Sequence, residues 1–327
     1  MDTFHRGLRA LTRHQDWNIG IVDAPITAFA DPNFAPEIRW LPPPPAGYFA
    51  ADPFLFEKDG GQYILYESYQ YSREHGCLAA FKLKPGGKVE DCGRVLSADT
   101  HLAYPYVFEW QGVLYCLPES ADAGKLVLYR IDGIPGVLSP VATLIDNVNA
   151  VDPTLFFHDG RYWLAFTDQA TGSNEALYLH YADTPLGPWS PHAENPVKTD
   201  IGSARPAGTP FTHDGALYRP AQDCSSTYGG RIALNRVTEL TPKAFAEHTT
   251  RWIEPANGGP RPHGLHTISG SGELTVVDGK REHFVAIGAY TMIRRNIFKL
   301  FTRSQRKHTK IHTQSEPSEP ARRSVGA

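Results

Sequence analysis

Short apolar runs closed by tight turns set the pattern of this chain. In Val151-Asp152-Pro153-Thr154-Leu155-Phe156-Phe157 an acid and a proline open a bulky apolar run, His158-Asp159-Gly160 supplies a turn, and residues 161–167 read as a returning strand. This predicts a β-hairpin, with Pro153 at a first strand position whose N–H is not needed by the ladder. The pattern recurs at Asp52-Pro53 with a turn over 58–61, at Tyr104-Pro105 with the turn Gln111-Gly112, and at Arg205-Pro206 with the turn His213-Asp214-Gly215. A weaker fifth copy spans 263–277 and is read with its turn at Asp278-Gly279. A repeat of roughly fifty residues is typical of propeller blades. The expected fold is all-β, a five-bladed β-propeller over residues 17–290.

Residues 17–22 read as a strand that closes the ring by joining the last blade, which removes an open sheet edge. Pro42-Pro43-Pro44-Pro45 is a stiff spacer into the first hairpin. Blades are expected over 48–96, 101–144, 152–189 and from 204, with the fifth ending near 288 and a short helix at 241–247. Residues 1–16 form a basic lead-in. Residues 291–301 are basic and amphipathic, read as a short helix or as a contact with anionic lipid, and 302–327 as a solvated, disordered tail.

Composition narrows the function. A formal charge of −3 over 327 residues gives no global attraction to nucleic acid. Cys77, Cys92, Cys116 and Cys224 lack C-x-x-C spacing and are read as free thiols. The N-terminus lacks an apolar secretory core and no run reaches the length of a spanning helix, so a cytoplasmic protein is expected. No H-x-x-x-H or Cys/His set is present, so neither a metal nor a cofactor is expected.

The Asp-Pro hairpins, with Tyr181-Ala182-Asp183-Thr184-Pro185-Leu186-Gly187-Pro188-Trp189, resemble the five-bladed glycosidases of family 43. More narrowly, Tyr104-Pro105-Tyr106-Val107-Phe108, Leu117-Pro118-Glu119-Ser120 and Arg219-Pro220-Ala221-Gln222-Asp223-Cys224-Ser225 resemble the N-terminal domain of the glucosamine inositolphosphorylceramide transferases, including stand-alone bacterial members. In the plant enzymes that domain precedes a separate glycosyltransferase domain, for which this chain has no room. The resemblance implies glycan or glycolipid assembly tied to glycosyl transfer, either as an enzyme or as a glycan- or donor-binding propeller serving a partner glycosyltransferase. Family 43 hydrolysis is the remaining alternative.

By the family 43 resemblance, Asp52 and Asp152 match a general base and a second, tuning acid at register-equivalent points of blades one and three. Two carboxylates across a sugar-sized gap suit glycosidic chemistry, although an Asp before Pro also serves as a plain turn acceptor. Where family 43 carries its acidic Glu, this chain has Ser203-Ala204-Arg205-Pro206. Glu119, Glu67, Asp168 and Asp223 are the available replacements, and Glu119 is the preferred one. Arg205, Arg219, Gln222 and Arg231 with Tyr228-Gly229-Gly230 make blade four rich in donors for a sugar phosphate, nucleotide sugar or acidic glycan; surface salt bridges are the bland reading. Tyr48, Phe49, Tyr104, Tyr106, Trp110 and Tyr228 could stack on sugars, Asp223 could bind substrate, and His263 and His266 could face the channel.

Overall fold

The computed structural model describes residues 13–284. Two compact units are distinguished, Asp16–Arg281 and a second made of Met1–Gln15 with Glu282–Ala327. The first is the propeller. The expectations for residues 1–12 and 285–327, including the amphipathic segment and the tail, lie outside the described residues.

Five antiparallel sheets follow one another along the chain. Blade one comprises Tyr48–Lys58, Gly61–Gln70, His75–Lys84 and Lys88–Leu96. Blade two comprises Ala103–Trp110, Val113–Glu119, Lys125–Arg130 and Ser139–Asp146. Blade three has Ala150–His158, Arg161–Asp168 and Ala176–Ala182, with two short outer pieces, Ser190–Pro191 and Lys198–Thr199, both paired to Ala176–Ala182. Blade four has Phe211–His213, Ala216–Asp223, Arg231–Leu240 and Phe245–Ile253. The helix expected at 241–247 is instead a turn leading into that last strand, because Phe245 and its neighbours pair with Leu240 and the residues before it. In blade five, Ile268–Ser271 and Leu274–Phe284 are completed by the N-terminal strand Arg13–Val22 and by Arg39–Trp40. The ring therefore closes as expected, through the N-terminal strand.

All five hairpins use two-residue loops. Asp59-Gly60, Gln111-Gly112, Asp159-Gly160 and Asp214-Gly215 have positive φ at both positions, the geometry whose twist matches paired strands. In blade five the loop is Gly272-Glu273, since Ser271 pairs with Leu274. Asp278-Gly279, expected as that turn, lies within a strand.

The X-Pro dipeptides also differ from expectation. They do not begin the inner strands; they interrupt them. The pairing register shifts between Ala51 and Phe54, Ala103 and Tyr106, and Val151 and Thr154, and Asp52, Tyr104 and Asp152 adopt φ values of 51°, 42° and 50°. Each is a β-bulge, which frees the proline from donating to the ladder and re-aims the preceding side chain.

One apolar cluster fills each interface between neighbouring blades. Phe56, Tyr63 and Leu78 meet Cys116 and Ile131; Tyr106, Leu117 and Leu128 meet Leu155 and Phe166; Trp163 and Leu179 meet Ala204 and Leu217. Ile232 and Leu234 meet Val22 and Ile268, and Ile19 and Val276 meet Leu55 and Ile64. Because every blade is covered on both faces, its inner strands read as continuous apolar runs rather than alternating ones. Phe54, Phe56, Phe156 and Trp163 belong to this core, and all four cysteines are free.

Candidate functional site

The three bulges direct Asp52, Tyr104 and Asp152 to one end of the channel. Facing them are residues in the C-terminal halves of the second strands: Glu67 opposite Ala51, Glu119 opposite Ala103, and Thr167 opposite Val151. Gln222 donates its N–H to the Arg205 carbonyl and Asp278 its own to that of Thr267, so blades four and five contribute equivalent positions.

Two half-sites result. In one, the Asp152 N–H donates to Glu119 Oε2 at 3.1 Å, and the Asp152 carboxylate takes Arg205 Nε at 2.6 Å, Arg205 Nη2 at 3.3 Å and Gln222 Nε2 at 2.6 Å. In the other, the Asp52 N–H donates to Asp278 Oδ2 at 3.1 Å, while Asp52 accepts from Thr267 Oγ1 at 2.7 Å and from the Tyr104 N–H at 3.3 Å. His266 bridges the second pair, with Nδ1 on Asp278 Oδ2 and Nε2 3.8 Å from Asp52 Oδ1. Asp278 Oδ1 also receives the N–H groups of His266 and Thr267. Each half-site thus joins two carboxyls from adjacent blades with one basic side chain, Arg205 in one and His266 in the other.

Burial decides where the protons sit. Desolvation pushes the Asp52 pKa up to about 6, with Asp152 and Asp278 adding to the rise against His266 and Thr267. Glu119 is raised well above the carboxylate range, first by burial and then by Asp152, against the pull of Arg205. Glu67 is raised the same way, by burial and then by Asp52. Burial alone would lower His266, but Asp278 and Asp52 outweigh it and its pKa is raised. At the end of the channel, Asp52 and Glu119 therefore both hold their protons more tightly than an ordinary carboxyl does. The Asp52, His266 and Asp278 ligand atoms lie close enough together to hold a cation, but His266, with its raised pKa, already stands between the two carboxyls as their counter-charge.

Other candidates are placed differently. Tyr104 is fully buried, with its hydroxyl at 2.8 Å from Thr154 Oγ1 and accepting the Gly208 N–H at 2.6 Å, so it braces three blades and offers no face to a sugar. Tyr106 is core, and Trp110 packs beside the turn at the opposite end of blade two. Arg219 is enclosed by Glu247 (Nε to Oε2 2.9 Å, Nη2 to Oε1 2.6 Å) and the carbonyls of Ser203 and Ala204. Arg231 pairs with Asp223 and Glu254 and covers the Trp252 ring. Asp223 is consumed by Arg231 and Ser225, Asp168 caps its own turn at Ala170, and Gln222 holds Asp152. Every blade-four arginine named as an anion ligand therefore already has a carboxylate. His263 is exposed and donates its N–H to the Lys280 carbonyl; His266 is the blade-five histidine that enters the site.

Sequence reasoning missed Asp278, taken as a turn residue, and Trp17, taken as a closing strand. Trp17 stacks on His266 with ring centroids 3.9 Å apart, and Tyr228 stands edge-on to both. Tyr228 is 37 % exposed, with its hydroxyl on Arg205 Nη2, and is the accessible ring over the site. Its loop reaches blade five through Gly229, where φ is +55° and a Cβ would lie 2.8 Å from His266. That glycine serves backbone packing rather than a ligand.

A family model described as "Glucosamine inositolphosphorylceramide transferase 1, N-terminal" matches residues 43–260. The chain is 33% identical over 264 residues to glucosamine inositolphosphorylceramide transferase 1 of Oryza sativa subsp. indica, covering 75% of this chain and 35% of that protein. It is 36% identical over 207 residues to the Arabidopsis thaliana protein of the same name, covering 61% and 27%. The chain spans about a third of the length of these relatives. Among solved structures, a family 117 glycoside hydrolase from Zobellia galactanivorans superposes with a TM-score of 0.51 at 14% identity, covering 82% of this chain and 91% of that one. An exo-β-1,3-galactanase from Clostridium thermocellum gives 0.52 at 14% identity, covering 64% and 53%. At such identities the structural likeness establishes the propeller fold alone.

Proposed function

Taking as premise that the chain belongs to the family of the glucosamine inositolphosphorylceramide transferase 1 N-terminal domain, we propose that it is a carbohydrate-holding propeller that works in glycolipid or glycan assembly alongside glycosyl transfer. The relatives' name supplies the class of work, attaching a sugar to a phosphorylated inositol lipid. This chain matches only about a third of their length, and the reading takes from them no complete activity.

The observation that carries this reading is the capture of Asp152 by Arg205 and Gln222. A carboxylate locked by a bidentate guanidinium and an amide is a poor proton shuttle, because each transfer would break charge-assisted bonds. Holding a polyol requires less: the acceptor Asp52, the donor Glu119 and the half-exposed Tyr228 ring offer hydrogen bonds of both senses and a stacking face. The test pairs binding of the purified chain to a glycan array with turnover of aryl glycosides. Retained array binding that falls in Tyr228→Ala and Asp52→Asn, without glycoside turnover, is the expected result. Glycoside hydrolysis by the wild type that disappears in Asp52→Asn would replace holding with catalysis.

A further inference from the structure

The proposed function leaves open where an acidic ligand's charge would go, since Arg205, Arg219 and Arg231 each already hold a carboxylate. Blade one answers with a different set of residues. Strand parity places Ser68 and Gln70 opposite Cys77 and His75 on one face of the blade, and Arg94, opposite Ala79, extends that face onto the outer strand. With Tyr48, Arg73 and residues 97–99 these side chains line a concavity of about 280 Å³. Blade five is the neighbour on this face, and its outer strand, Arg39–Trp40, has only two residues. The strand end that lines it is the channel end, for Ser68 directly follows Glu67.

Arg73 and Arg94 are exposed, and neither guanidinium has an ion-pair or hydrogen-bond partner among the described residues. The nearby acid, Asp99, lies beyond ion-pair range of both. His75 is fixed by Nε2, which must donate to the Ala98 carbonyl at 3.0 Å, so its ring is oriented rather than free. Ser68, Gln70, Ser97 and Tyr48 add neutral hydrogen-bonding side chains to the same lining. Two unpaired guanidinium forks in one concave, hydroxyl-rich setting suit an oxyanion carried on a sugar.

We infer that this blade-one pocket is an oxyanion subsite, in which Arg73 and Arg94 bind the carboxylate or phosphate of an acidic sugar. The inference deepens the proposed function and rests on a glycan being the ligand.

Calorimetric titration of the full chain with glucuronate, glucose 6-phosphate and glucose tests it. At least one of the two anions should bind at least about tenfold more tightly than glucose, the size of one charge-assisted contact. Preference for glucuronate alone assigns a carboxylate, and preference for the phosphate alone a phosphate ester. The Arg73→Ala/Arg94→Ala variant should lose that preference with an unchanged melting temperature, as should wild type at high salt. Tyr228→Ala and Asp52→Asn should weaken all three sugars together and keep the preference. If those two are silent while the arginine variant loses the anion, the channel reading fails and the subsite stands. Equal affinity for charged and neutral sugars, no binding up to about 10 mM, or a preference that survives loss of both arginines overturns the subsite.

Discussion

Replacing Arg205 by alanine strands a buried acid. Asp152 is 1% exposed and Arg205 8%, and the guanidinium supplies Nε at 2.6 Å and Nη2 at 3.3 Å. After truncation only Gln222 still donates to that carboxylate, and Glu119 lies beside it. Removing one partner of a buried ion pair destabilises by about 3–5 kcal/mol, because the remaining charge has neither water nor a counterion. For a domain of this size each kcal/mol is worth roughly 2–4 °C, so the melting temperature at pH 7 should fall on the order of 10 °C. Without the cation, Glu119 also loses the pull of Arg205, and its raised pKa moves higher still. The variant should therefore lose stability as pH rises through that raised value and recover part of it at lower pH. Differential scanning fluorimetry at pH 7 and pH 5 measures both effects, and adding Asp152→Asn to Arg205→Ala should restore part of the loss at pH 7. A melting temperature within about 2 °C of wild type at pH 7 would show that the pair is hydrated, and the half-site description would fall with it.

The wild type should be most stable in mildly acidic solution. Asp52, raised to about 6, contributes stability that is complete below its ordinary 3.8 and lost as pH rises through about 6, and Glu67, Glu119 and His266 act in the same direction. Glu247 and Asp200 are depressed and withdraw support only as pH falls below the carboxylate range, so a pH series of melting temperatures should peak at about 4.5 and decline above it; a steady rise from pH 5 to 8 would refute this. Gly208→Ala should not fold, since φ is +116° and a Cβ would sit 1.8 Å from the Ile268 carbonyl oxygen; soluble protein with wild-type melting would refute it. In Asp278→Asn the amide oxygen can still accept the His266 and Thr267 N–H groups, but the imidazolium loses its main counter-charge. The His266 pKa, followed by NMR, should then drop below its ordinary 6.5, and a value that stays raised would assign the effect to Asp52 alone.

The ring was legible in the sequence because its signals are local. Asp59-Gly60, Gln111-Gly112, Asp159-Gly160 and Asp214-Gly215 can hardly form anything but tight hairpin loops, and the spacing between them counts the blades. Blade five was misread because Gly272-Glu273 lacks that signature, whereas Asp278-Gly279 carries it inside a strand. There Gly279 answers to packing, since a Cβ would lie 2.2 Å from Trp40. The bulges could not be told from strand starts, because proline satisfies both. Partners of the arginines were illegible for a different reason: Glu247 lies 28 residues after Arg219, two strands away in the same blade, and Asp152 lies 53 before Arg205 on the preceding blade, so strand pairing and blade packing, not local sequence, bring them together.

The two half-sites also explain why a cation can stand where the glycosidases place an acid. Each inner-strand acid hangs by its own N–H from a carboxylate of the preceding blade, Asp152 from Glu119 and Asp52 from Asp278. That arrangement brings two acids together without water, and like charges so placed cannot both ionise freely. Arginine relieves the first pair and histidine the second. Arginine keeps its proton at any working pH, and of the two acids in its half-site it is Glu119, the less firmly paired, whose pKa is raised, by burial and by Asp152. His266 can release its proton, which leaves Asp52 balanced near 6. The asymmetry gives two similar acid pairs different proton affinities, so that together they can offer hydroxyl groups hydrogen bonds of both senses.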